Sequence, residues 1–397
     1  MKTKILKLCF TLTCAFILCG CWNYNELNDL AIATVLGIDK NDNQYEVSVT
    51  IANATNTQSG SKEGQSQITV LSGKGKTLTD AMDDINLKTP KQLYLNHLTA
   101  IIIPEEVAKD GVNNMVDLLL REPESRKKFY LLIAKDTKAK DTLKILTALD
   151  ARPSQSIASL IQSAADTQAI TTSLTYSNFV NDIIEDGNHP ILTSIVVEGN
   201  EKKGQSYESI QQSSPDATTK LSTLALFKDD KLKTFATIDE SKGINLILGN
   251  AKKLSVTSKC GNNYMVGNIE NVNTKVKVTV KNNNPSVDIY ITGRGSLSEI
   301  NCNLDITKDN VIDEITKDFE NETKKLVQKG LQLAQKEKTD VLSFGQQFYR
   351  NYPNYYKKVK AKWDDEVFPN INVKTHVNFD IETKGSLEQT VRKEEEQ

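Results

Sequence analysis

Residues 311–336, VIDEITKDFENETKKLVQKGLQLAQK, and 371–382, INVKTHVNFDIE, decide the fold class. In the first, apolar side chains at Ile312, Ile315, Phe319, Leu326, Val327, Leu331 and Ala334 recur at spacings of three, four and seven. That period places them on one face of a long α-helix. In the second, Ile371, Val373, Thr375, Val377, Phe379 and Ile381 alternate with Asn372, Lys374, His376, Asn378, Asp380 and Glu382, the period of an amphipathic strand. A helix laid on an antiparallel sheet follows, and the class is α+β.

Working outward, two hairpins precede the helix. Lys275–Val280 and Val287–Ile291 alternate around Asn282-Asn283-Asn284-Pro285, and Leu221–Phe227 and Leu232–Ile238 bracket Asp229-Asp230. At the other end of the chain, Thr34–Asp39 reads as a strand, Asn41-Asp42-Asn43 as a turn, and Tyr45, Val47, Val49 and Ile51 as one face of a half-buried strand. Residues 55–67 carry no apolar side chain and read as a flexible loop. Thr79 is placed to cap a helix reaching Lys88. Leu98–Ile103 is a buried strand, after which Pro104 opens a single helix through Leu119, and Phe129–Ala134 is another strand. Residues 138–187 read as mainly helical, Ile191–Val197 as a short strand, and 200–220 as a polar linker. The expected organisation is a sheet-and-helix domain over 22–137, a mainly helical region over 138–220, and an α+β domain over 221–390.

Composition narrows the function classes. The chain has 397 residues, 49 basic and 51 acidic, for a net charge of −2. Lys2, Lys4 and Lys7 are the only charged residues among the first 20, so the remainder holds 46 basic against 51 acidic side chains, a net −5. A large nucleic-acid footprint would need a basic surface. Residues 2–7 form a positive region, and Leu8–Cys19 is an apolar run of about 12 residues, short of the roughly 20 a spanning helix needs. The pattern is that of a cleaved signal peptide over 1–20. It ends in Leu18-Cys19-Gly20-Cys21, which resembles a bacterial lipobox. On that reading Cys21 becomes the first residue and carries a diacylglyceryl group, with N-acylation as a further modification. Two acyl chains suffice for stable anchoring in a bilayer.

Catalytic chemistry is hard to find in the sequence. The three histidines, His97, His189 and His376, have no partner at metal-ligand spacing. His376 falls on the polar face of the last strand and reads as solvated; His97 precedes a buried strand and reads as structural. Gly73-Lys74-Gly75-Lys76-Thr77 ends like a phosphate loop, but Val70 stands where its first glycine belongs. Cys260 and Cys302 are compatible with a disulfide, worth roughly 3–4 kcal/mol in the loop-entropy model, and equally with two free thiols. Arg121-Glu122-Pro123-Glu124-Ser125-Arg126 reads either as a solvated helix exit or, through Arg121, Glu122 and Arg126, as a charge cluster that meets a partner. No catalytic, cofactor or metal residue is assigned.

Several of these segments together resemble the Ger(x)C lipoproteins of spore nutrient-germinant receptors. The resemblance rests on Cys21-Trp22 with Glu26-Leu27, Gly37-Ile38-Asp39, Asn96-His97-Leu98, Arg121-Glu122-Pro123 with Arg126, and the hairpin Leu224–Leu232. Its most specific part is Gln335–Gly345, followed by Tyr349-Arg350, Pro353, Trp363 and Phe368, with the last strand closing on Thr383-Lys384-Gly385. It implies three α+β domains and a non-enzymatic C subunit anchored on the outer surface of the spore inner membrane. It also implies membrane-embedded A and B subunits as partners, and a role in the assembly or signalling that triggers germination. The alternative is an extracytoplasmic solute-binding lipoprotein that captures the nutrient itself.

Overall fold

Turn residues lay down the first hairpin. β1 (Leu30–Asn41) passes through Asp42 and Asn43, both at positive φ, into antiparallel β2 (Gln44–Ala52). Asp and Asn tolerate that left-handed backbone better than other non-glycine residues. The computed structural model describes residues 29–52, 68–121, 128–146, 153–306 and 308–382; the loop expected over 55–67 lies outside them. β3 (Ile68–Gly75) pairs with β2 and carries Gly73 and Gly75, so these glycines belong to a strand and form no phosphate loop. α1 (Leu78–Asn86) is capped by Thr77, whose side chain accepts from Asp80 N–H while the Asp80 carboxylate accepts from Thr77 N–H. Such a reciprocal box satisfies two orphan donors, which is why the helix starts before Thr79 and not at it.

β4 (Gln92–Tyr94) and β5 (Ala100–Pro104) follow. The single helix expected after Pro104 is two, α2 (Glu105–Asp110) and α3 (Asn113–Arg121), because Gly111 sits at φ 119° between them. Next come β6 (Tyr130–Ala134), α4 (Ala139–Lys144), α5 (Pro153–Gln168), α6 (Tyr176–Ile184) and β7 (Ile191–Gly199). Residues 200–220 are not a linker. They form α7 (Glu201–Gly204), α8 (Tyr207–Gln211) and the start of β8 (Ala217–Lys228), whose Ala217 is paired with Gly199 of β7. β9 (Lys231–Phe235) completes the second hairpin, and Thr237 caps α9 (Ile238–Leu248), so Ile238 begins a helix instead of ending a strand.

These strands join one sheet in the order β3-β2-β1-β5-β6-β7-β8-β9, with β4 beside β1. β1, β5, β6 and β7 run parallel. Sheet continuity from β6 to β9 means that the boundaries expected at 137/138 and 220/221 do not coincide with breaks between sheets. The parallel strands read as unbroken apolar runs because both faces are covered. Ile101, Ile103, Leu131 and Ile133 pack under α1, α2, α3 and α6 on one face; Ala100, Ile102, Leu132 and Ala134 pack under α4 and α5 on the other. The same two-sided cover buries Glu46, Ser48 and Thr50, which the alternation in β2 had suggested would face water. Ser48 and Ser72 hydroxyls bond each other at 2.9 Å, and Glu46 accepts from Lys140.

A second sheet, β10-β11-β12-β13, is made of β10 (Lys253–Cys260), β11 (Asn263–Lys281), β12 (Asn284–Ile300) and β13 (Asn372–Glu382). Asn282 and Asn283, both at positive φ, make the two-residue turn between β11 and β12. β13 is parallel to β12, so this sheet is mixed, not purely antiparallel. A parallel pair needs a crossover of a dozen or more residues, which here contains α10 (Asp309–Lys336), α11 (Phe344–Asn351) and α12 (Pro353–Val359). α10 buries Ile315, Phe319, Val327 and Ala334 against the sheet, as its spacing predicts. Removing the Phe319 ring would cost about 3–5 kcal/mol. On its flank Gly330 meets Gly243 of α9 so closely that a Cβ on either would collide with the other helix's backbone.

Candidate functional site

The expected site residues are scattered. Leu18, Cys19, Gly20 and Cys21 lie outside the described residues, as do Glu122 and Arg126. Arg121 is exposed on α3, where its guanidinium donates to Asp117 one turn earlier, at 2.8 and 3.1 Å. The sulfurs of Cys260 and Cys302 meet as a disulfide, with Cα atoms 6.2 Å apart, tying the end of β10 to the chain just after β12. His97 is exposed against the Tyr94 ring and is not the enclosed structural histidine expected. His376 stays largely exposed, as its place on the polar face implies, yet its Nε2 donates to the Asp288 carboxylate at 2.9 Å and its ring stacks on Tyr290. Among the described residues no group of three metal-ligating side chains comes together.

What the fold does bring together is the turn after α10 and the loop before β7. α10 ends at Lys336, and two residues later Lys338 adopts φ 52° and reverses the chain. Thr339 then donates its hydroxyl to the Phe227 carbonyl of β8 at 2.5 Å, and the Asp340 carbonyl accepts from His189 N–H at 3.0 Å. The Asp340 side chain is wholly buried. One carboxylate oxygen accepts from the backbone N–H groups of Leu342 and Phe344, both at 3.2 Å. The other accepts from Gly345 N–H at 2.6 Å and the Trp363 indole N–H at 2.8 Å. This one side chain therefore shapes the whole Val341–Gly345 turn, including Ser343 at φ 59°, and fixes the Trp363 ring that packs on Phe348 and Tyr356.

The turn so shaped docks on the first sheet's side. Gly345 lies on Gly187 with no room for a Cβ on either, and Gln346 N–H donates to the Gly187 carbonyl at 2.9 Å. Ser343 donates to Asn188, which in turn donates to Asp182 of α6 at 2.8 Å. His189 Nδ1 accepts from Asp229 N–H at 3.1 Å. Its proton therefore sits on Nε2, which donates to Asp364 at 2.9 Å. Ion pairs rim the contact: Lys360 with Asp186 at 2.6 Å and Arg350 with Glu185 at 3.7 Å. Exposed pairs of this kind contribute little; the buried hydrogen bonds give the joint its geometry.

Electrostatics mark the same place. Burial pushes the Asp340 carboxyl up to about 6, against the pull of its Gly345, Trp363 and Phe344 donors. Burial, aided by the Glu185 charge, pushes Asp182 up to about 7, with the Asn188 bond opposing. A second buried carboxylate lies inside the first sheet. Asp39 accepts from Ala139 N–H at 2.9 Å and Lys140 N–H at 2.8 Å, capping α4 from across the sheet. Burial raises its pKa also, with those two bonds opposing. Asp39 and Asp340 both fall in stretches that carry the family resemblance, but sequence reading assigned neither a role. In the sequence Lys338–Gly345 and Trp363 stand out only through the family resemblance, and nothing there pairs Trp363 or His189 with Asp340.

Comparison with known proteins covers the same two regions in order. A family model described as the spore germination protein N-terminal domain matches residues 23–197, and one described as spore germination B3/GerAC-like, C-terminal, matches residues 222–385. Spore germination protein KC of Bacillus subtilis (strain 168) is 26% identical over 97% of this chain and 97% of its own length. Spore germination protein B3 of the same organism is 24% identical over 93% of this chain and 95% of its own. The crystal structure of the GerBC protein superimposes with a TM-score of 0.56 at 19% identity, covering 87% of this chain and 96% of that one. That likeness establishes a shared fold.

Proposed function

Because the chain belongs to the GerAC, or Ger(x)C, family of spore germination proteins, we propose that it is the C subunit of a nutrient germinant receptor. In this reading it is a non-enzymatic lipoprotein held at Cys21 on the outer surface of the spore inner membrane. It supports assembly or signalling by membrane-embedded A and B subunits. The observation that carries the reading is the match of both family regions, in order, across nearly the whole chain. No helix among the described residues is long and apolar enough to cross a membrane, which agrees with a tether supplied by the N-terminus.

A subunit that passes a signal between a membrane and its partners must hold its own parts in register. The Asp340 joint supports that role, because hydrogen bonds at Thr339, Asp340 and Gln346 tie it to Phe227, His189 and Gly187 on the first sheet's side. The test is deletion and complementation. Spores lacking this chain should germinate slowly or not at all on at least one nutrient, and the wild-type chain should restore them. Cys21→Ala should restore little, since loss of the lipid removes the high local concentration near the membrane subunits. Normal germination of the deletion strain on every nutrient, with no second copy of the family present, would sink the proposal.

A further inference from the structure

We infer that a lysine-rimmed groove between α12 and the β11–β12 turn is a second membrane contact that takes anionic phospholipid headgroups; the inference rests on the tethered reading above. The groove has a volume of about 430 Å³ and is lined by Pro285, Tyr355 and Val359 together with Lys358, Lys362 and Glu366. It opens in the most basic stretch of an otherwise acidic chain, where Lys357, Lys358, Lys360 and Lys362 fall within six residues.

Local carboxylates account for only part of that charge. Lys360 is held by Asp186 and Lys362 by Glu366 at 3.1 Å. The adjoining acids are committed elsewhere: Asp364 to His189, and Asp365 to Lys228 and Lys338. Lys357, Lys358 and, at the end of β11 beside the groove, Lys281 have no carboxylate within ion-pair distance among the described residues. All three are exposed. One uncompensated cation in the lining, Lys358, with Lys281 and Lys357 on the adjoining surface and aromatic and aliphatic side chains in the groove, complements a surface that is anionic outside and apolar beneath.

The energetics select a membrane over a soluble anion. Each lysine near an anionic surface strengthens binding roughly fivefold, so three give on the order of a hundredfold. That is weak for a free protein. It is decisive for one already anchored, whose effective concentration at the bilayer is in the millimolar range. The contact would fix which side of the second sheet faces the membrane, which a flexible anchor alone leaves undetermined.

The test uses the lipidated full chain reconstituted in vesicles of phosphatidylcholine alone or equimolar phosphatidylcholine and phosphatidylglycerol. Flotation reports the tether, and acetylation of individual lysines, read by mass spectrometry, reports the groove. The expected result is flotation with both vesicles, and labelling of Lys281, Lys357 and Lys358 reduced about fivefold or more only with phosphatidylglycerol at low salt. Lys357→Glu with Lys358→Glu should float equally well and lose the protection of Lys281. Equal labelling in both vesicles overturns the inference while leaving the tether standing. So does protection that appears only when the membrane subunits are added, which would make the groove a protein interface. If the chain fails to float with phosphatidylcholine, the tether reading falls, and binding of the same chain to phosphatidylglycerol vesicles decides the groove: lysine protection there sustains it, and its absence overturns it.

Discussion

Asp39 and Asp340 are both buried carboxylates that gather N–H groups, and they reach across the chain in opposite ways. Asp39 accepts from residues 100 and 101 positions away, yet everything it holds lies within the first sheet and its cover helix α4. Asp340 takes its backbone donors from the next five residues, and Trp363 only 23 positions on. Yet the turn it shapes, with Thr339 just before it, meets Gly187, His189 and Phe227 of the first unit. Sequence separation thus says little about which contact is architectural. A carboxylate that caps a helix stabilises one layer; a carboxylate that sets a turn can decide how two units meet.

Substitution should separate the two roles. Asp340→Ala leaves three backbone donors and an indole N–H buried without an acceptor, and we expect a loss of about 3–5 kcal/mol in denaturant unfolding. The first sheet should then unfold separately from the second. A single transition with wild-type stability would remove the joint from the explanation. Asp39→Ala removes one tertiary cap and should cost about 2 kcal/mol, with α4 loosened in hydrogen exchange and the joint unchanged. Loss of protection at Gly345 in this variant would erase the distinction.

A pH titration sharpens the comparison further. The folded value of Asp340 lies above its ordinary 3.8, at about 6. The folded protein therefore keeps this proton where the unfolded chain has released it. Its contribution to stability is full below about pH 4 and is lost as pH rises through about 6, with a slope of at most about 1.4 kcal/mol per pH unit. The wild type should show this extra slope relative to Asp340→Asn; parallel pH profiles would contradict it. The smallest expected effect is at His189, where His189→Gln can keep one of the two hydrogen bonds and should cost about 1 kcal/mol, measured by thermal unfolding in the wild-type and Asp340→Ala backgrounds. Additive losses would show that His189 and Asp340 act independently, and the joint requires coupling.

The sequence made some of this legible. The period-3.6 face of α10 and the period-two face of β13 correspond directly to buried Phe319, Val327, Val377 and Phe379. The Asn282-Asn283 turn also stands where the residue types place it. Strand direction was not legible, because alternation is identical in parallel and antiparallel partners; only the intervening helices signal the parallel pairing of β13. Polar Glu46, Ser48 and Thr50 looked solvent-facing because the helix that covers them, α4, lies far along the chain. Residues 200–220 looked like a linker because two short helices and the outer end of an edge-side hairpin need few apolar side chains. At the joint, Asp340 and Trp363 stand out in the sequence only through the family resemblance, and their link to Asn188 and His189 depends on how the two sheets lie side by side.

The most direct measurement is the distance between the two units, read by pulsed electron spin resonance with labels at Leu87→Cys just after α1 and Lys275→Cys on β11. The wild-type and Asp39→Ala chains should each give one narrow distribution, and Asp340→Ala should give a broad one. A distribution that stays narrow in Asp340→Ala would contradict the claim that this buried carboxylate sets how the two sheets are held together.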